Sequence, residues 1–141
     1  MQSLIQALIA AILADGPITG LLAQNQVFAG AAPETALLPF LTLTAALGGP
    51  TRHDFSGNRV TQTIVVLTAV GEKLPVLLEI ADQLVSLLDA ASLPLSAGVL
   101  LGIWQERAAE PAQVGFDAAN DEVYRVQIRF QCQVFELAGH G

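Results

Sequence analysis

Ionised side chains are scarce in this chain. Of its 141 residues, 13% are charged, about half the usual share, while 52% are hydrophobic. With a mean hydropathy of +0.54, so small a body cannot hide all its apolar surface within itself, and part of that surface is expected to meet another subunit. No Lys or Arg precedes Arg52. The apolar stretch from Leu4 to Ala14 therefore lacks the positive flank of a signal peptide. It is broken by Gln6 and too short to cross a bilayer. The expectation is a soluble protein with no membrane partner and no export signal.

Catalytic and ligand-binding residue types are equally sparse. Cys132 is the single cysteine, which excludes an intrachain disulfide and a thiolate metal cluster. Its place in an apolar register makes it a small buried hydrophobe. The two histidines are His53, in a polar tip, and His140, near the end of the chain. Nucleophilic catalysis needs a nucleophile, a base and an orienting acid in contact, and no such set is evident. His53-Asp54 is one adjacent pair, short of a metal-ligand spacing. Gly48-Gly49-Pro50 lacks the lysine and following helix of a phosphate-binding loop. Asp121-Glu122 and Glu106 with Glu110 read as solvent-facing loop acids. These absences predict no enzyme, no cofactor and no metal.

The net charge is −7, from 13 acids and 6 bases. A sequence-independent grip on nucleic acid needs clustered Lys and Arg, so DNA binding is not expected. DNA that slides past an acidic wall without sticking is compatible with this balance.

What the chain does hold is one strongly patterned segment, Tyr124 to Val134. Tyr124, Val126, Ile128, Phe130, Cys132 and Val134 alternate with Arg125, Gln127, Arg129, Gln131 and Gln133. Strand side chains change face at every residue, so this predicts one dry face and one hydrogen-bonding face. An Arg- and Gln-rich face suits a channel wall or a protein contact better than a reaction centre. Arg125, Gln127 and Arg129 are therefore interface or lumen candidates. Arg52, His53 and Asp54 join them from the tip at 51–57, and so do Trp104, as an aromatic anchor, and its neighbour Glu106.

Along the chain, Ser3 is expected to cap a helix that runs to about Ala14, with Leu4, Ile5, Leu8, Ile9, Ile12 and Leu13 at helical spacing. Asp15-Gly16-Pro17 stops it. A short turn at 18–22 and a small strand at Val27-Phe28 follow. Phe40–Ala46 and Arg59–Val70 read as a hairpin. Next, the pattern predicts a helix with Glu72 and Pro75 in its first turn. Its stripe is Leu74, Leu77, Leu78, Ala81, Leu84, Val85 and Leu88, and burying five large side chains of that kind is worth on the order of 10 kcal/mol gross. Residues 90–94 end it. Val99–Gln105 is a third strand, 107–120 an irregular loop, and the patterned segment the last strand. The fold class expected is α+β. It is a two-layer sandwich with an antiparallel sheet of about four strands, on which a long central helix and an N-terminal helix pack. The chain reads as one domain over 1–141, with 137–141 a flexible tail.

An early amphipathic helix leads into Val27-Phe28-Ala29-Gly30-Ala31-Ala32-Pro33 and then Leu38-Pro39-Phe40-Leu41-Thr42-Leu43. A polar hairpin tip, the central helix and Tyr124-Arg125-Val126-Gln127-Ile128-Arg129-Phe130 complete the series. In this order and spacing the chain resembles the phage tail-completion and tail-terminator proteins, neck components of long-tailed phages and related gene-transfer particles. The likeness runs from the first helix to about Glu136. It departs where Asn120-Asp121 stands in place of a glycine turn before the last strand. The resemblance implies a homo-oligomeric ring, commonly a hexamer, that caps the finished tail tube and docks on a head-side stopper or adaptor while DNA passes through. It implies a place in the virion tail or neck, with assembly in the host cytoplasm. Another neck role, adaptor or stopper, is the alternative within that class. Outside it stands a small ligand-binding accessory domain with a pocket lined by Trp104 and Phe116.

Overall fold

The computed structural model describes residues 2–49, 51–53, 57–117 and 119–136. Helix α1 (Gln2–Leu13) and the single turn α2 (Gly16–Thr19) precede a 3-10 turn at Ala23–Asn25. Strands β1 (Val27–Ala29), β2 (Phe40–Leu47), β3 (Arg52–His53) and β4 (Arg59–Gly71) come next. Helix α3 (Leu74–Leu88) and the long hairpin β5 (Val99–Phe116) and β6 (Glu122–Glu136) complete the order.

The architecture is α+β with helices packed on one face of a mostly antiparallel sheet. Among the described residues the sheet has six strands rather than about four, in the order β1-β2-β4-β6-β5, with β3 paired to β4. β1 runs parallel to β2, and every other pairing is antiparallel. The largest departure from the sequence reading is 107–120, expected as a loop. Most of it is the second half of β5, paired to β6 as far as Phe116 opposite Glu122. Register shifts fall between Leu100 and Gly102, Gln105 and Arg107, Arg107 and Glu110, and Gln113 and Gly115. Each extra residue flips the phase of the side chains, so the alternation that reveals a strand is erased from the sequence. Pro111 is tolerated because β5 is an edge strand.

The alternation of β6 holds residue by residue. Val126, Ile128, Phe130, Cys132 and Val134 are buried, and the intervening residues are not. Cross-strand pairing carries the same dry face over β4 and β2: Leu43 lies opposite Leu67, which lies opposite Ile128, and Val65 lies opposite Phe130. Leu4, Leu8 and Ile12 of α1 and Leu77, Ile80, Ala81, Leu84 and Leu88 of α3 close the core from the other layer.

Several local expectations shift. Ser3 lies inside α1 rather than capping it, and its hydroxyl donates to the Ala97 carbonyl at 3.1 Å. Asp15 both follows α1 and caps α2, its Oδ1 accepting from the Ile18 amide at 3.0 Å. Glu72 precedes α3, whose N-cap is Lys73; Pro75 does fall in the first turn. On α3 the buried stripe includes Ile80, while Leu78 is exposed and Leu74 and Val85 are half-buried. The stripe is rotated because α3 packs mainly on β6, β5 and β4, the half of the sheet that ends in the β5 edge. The Leu38–Pro39 peptide is cis. The expected tail at 137–141 lies outside the described residues.

Candidate interaction surface

Helices cover one face of the sheet, and the opposite face is built from the residues between the core positions. Directly opposed strand residues share a face, so the pairing register lays out its rows. Thr42, Thr68, Gln127 and Glu110 form one row across β2, β4, β6 and β5. Phe40, Val70 and Arg125 form a second, Thr44, Val66 and Arg129 a third, and Ala46, Ile64, Gln131 and Trp104 a fourth. At the β1 corner Phe28 meets Phe40 edge-to-face, with ring centroids 6.2 Å apart.

The polar contacts on this face are slack. Gln127 Nε2 reaches Thr68 Oγ1 at 3.5 Å, the outer limit of a hydrogen bond. Arg129 Nε lies 3.6 Å from Glu106 Oε2, an ion pair without a hydrogen bond, and Nε is a buried donor with no hydrogen-bond partner. A shallow depression of about 400 Å³ runs beside Arg129 and Gln127, floored by Val66 and Thr68 and flanked by Thr44 and Glu110. Hydroxyls, amides and one guanidinium around a Val floor can hold peptide or side-chain groups of another protein.

Five of the eight candidates from the sequence therefore share one surface: Arg125, Gln127, Arg129, Trp104 and Glu106. Arg52 and His53 do not join them. Their strand pairs with Val60 and Arg59, at the end of β4 far from Arg125, and both are exposed. Asp54 lies outside the described residues. Trp104 and Phe116, the walls of the imagined ligand pocket, stand on one strand opposite Gln131 and Glu122, nine partner positions or roughly 30 Å apart at strand rise, and cannot line a common cavity. Thr42, Thr44, Val66 and Thr68 escaped the sequence reading, because β4 mixes Thr with β-branched apolar residues on both faces. The one signal available was the unbroken apolar run Ile64–Leu67, which reads as a strand covered on both sides.

A second cluster lies at one end of the sheet. Carboxylate oxygens of Glu72, Asp117 and Asp121 approach within 4.8 Å of one another. The Glu72 carboxyl is pushed up, chiefly by desolvation and then by the charges of Asp117 and Asp121. Asp117 Oδ1 meanwhile accepts from the amides of Ala119 and Asp121, both at 2.9 Å, which closes the β5–β6 turn.

Residues 6–134 match the family described as tail completion protein gp17. The chain belongs to that family. A tail completion protein is a structural part of a phage-type tail, which accords with a surface built for contact and points away from catalysis. Thirteen solved chains match in structure. One of them, from the virion of a native gene transfer agent particle, is similar with a TM-score of 0.74 over 95% of this chain and 96% of that one. At 21% identity this likeness speaks for the fold alone. None of the curated protein sequences compared with it matches.

Proposed function

We propose that this tail completion protein works as a tail terminator, a homo-oligomeric ring that caps the finished tail tube and joins it to the head-side neck. The observation that carries this reading is where exposed apolar side chains lie. Of nine exposed large hydrophobics among the described residues, five (Val99, Leu101, Trp104, Val114 and Phe116) lie on β5, at one edge of the sheet. Leu37 and Leu47 lie at the opposite edge, beside β1 and at the end of β2. Apolar surface on two opposite flanks suits a head-to-tail contact between copies, and such a contact forms a closed ring when its rotation closes. The low charge of the chain supports the same reading, since copies gain by covering these flanks.

The open sheet face, with Arg125, Gln127, Arg129 and Glu106, then faces the tail tube or a head-side stopper or adaptor. Arg52 and His53 form a separate exposed tip for a second contact. DNA passes through the lumen without being held, because a chain carrying −7 has little net attraction for phosphate. Assembly takes place in the host cytoplasm and the product is a part of the virion.

Purified protein at high concentration tests the reading. Its mass by sedimentation and its appearance in negative stain should give a discrete ring, a hexamer being the expected count. A monomer that stays solitary at high concentration and in the presence of tail tubes would sink it.

A further inference from the structure

We infer that β5, the exposed edge of the sheet, is built to refuse a strand from another chain, and that the C-terminal cap of α3 is its guard. An edge strand presents unpaired amides and carbonyls that template pairing with a neighbour. β5 is long, lies at the edge and carries most of the exposed apolar side chains. It is therefore the hazardous edge of this fold.

Its first half is sealed by two bonds from the end of α3. Asp89 Oδ1 accepts from the Gln105 amide at 2.9 Å. The Ala90 amide donates to the Ile103 carbonyl at 2.8 Å. These are the outward-pointing groups that a docking strand would use. The second half is spoiled by its register shifts, and Pro111 has no amide to offer.

The guard also accounts for two locally unfavourable choices at the helix end. An acid at the C-cap opposes the helix dipole, yet Asp89 occupies that position. Alanine rarely adopts positive φ, yet Ala90 has φ 60°. Both residues are aimed at the β5 backbone, where a charge-assisted bond to an amide is among the stronger hydrogen bonds. Residues that break local rules mark places where tertiary contacts set the choice. Copies that meet along β5 then do so through side chains such as Leu101 and Trp104, not by extending the sheet. This holds whether or not the ring forms.

The test compares wild type with Asp89→Ala, Asp89→Asn and the double variant Asp89→Ala/Gln105→Pro, by light scattering, thioflavin fluorescence and far-ultraviolet dichroism. Asp89→Ala should convert protein of native helix content into long, thioflavin-positive assemblies, with a several-fold rise in signal over wild type. Asp89→Asn keeps an acceptor oxygen and should behave as wild type. Gln105→Pro removes the exposed amide itself and should suppress the assemblies of Asp89→Ala. An Asp89→Ala protein with the wild-type size distribution would overturn the inference. So would assemblies that persist in the double variant, because general unfolding rather than an open edge would then be their source.

Discussion

Gly98 sits against the carbonyl of Phe135: a Cβ placed on it would lie 2.7 Å from that oxygen. Its φ of +85° is also a conformation that other residues rarely adopt. The position immediately precedes β5, whose pairing with β6 starts at Val99 opposite Phe135, so the two constraints govern the entry into the longest hairpin. Gly98→Ala should cost about 1–3 kcal/mol from backbone conformation alone, and the clash with Phe135 adds to it. Chemical denaturation should show the midpoint falling while the slope is unchanged. A variant as stable as wild type would contradict this geometry.

Phe130 is the largest fully buried side chain and pairs across the sheet with Val65. Truncation leaves a cavity between sheet and helices that close packing cannot refill. Phe130→Ala should lose about 3–5 kcal/mol, read as a lower melting temperature. Phe135, which is only half-buried, should lose clearly less on the same change.

Burial pushes the Cys132 thiol up to about 12, whereas a free thiol titrates near 8.5. Between those values the folded protein keeps a proton that the unfolded chain has lost. Stability attached to this group is therefore complete below about pH 8.5 and declines as pH rises toward 12. Cys132→Ala should flatten that part of the stability–pH curve. Alkylation at pH 8 should be slow in native protein and fast in denaturant; equal rates would place the thiol at the surface.

Arg125 is exposed, and Arg129 holds Glu106 only at 3.6 Å. A pair this open contributes under about 1 kcal/mol. Reversing both arginines to glutamate should leave the melting temperature within a few degrees and yet abolish tail attachment or ring formation, scored by negative stain. Particles with normal tails would show that this face makes no contact.

How much of this was legible beforehand depends on whether local pattern and tertiary register agree. In β6 they agree: Val126, Ile128 and Phe130 alternate with Arg125, Gln127 and Arg129, and both faces were readable. The same holds for α1, where Leu4, Leu8 and Ile12 recur at helical spacing. In β5 they disagree. The extra residues around Leu101, Glu106, Ala108–Ala109 and Val114 are meaningful only opposite β6, so the segment 107–116 looks irregular when read alone. The shared surface was half-visible for that reason: Arg129 could be named, but its neighbours Thr44, Val66 and Thr68 lie in other strands.

Composition and short-range periodicity determined what could be known from sequence by itself: an apolar, weakly charged α+β chain with one dry and one polar strand face. These are properties of neighbours a few residues apart, fixed by helix and strand geometry. Only the tertiary structure decided the six-strand order, the rows of the open face and the sealing of β5 by Asp89 and Ala90. Each depends on residues distant in sequence whose backbone groups must find partners once water is removed. That accounting closes only in three dimensions.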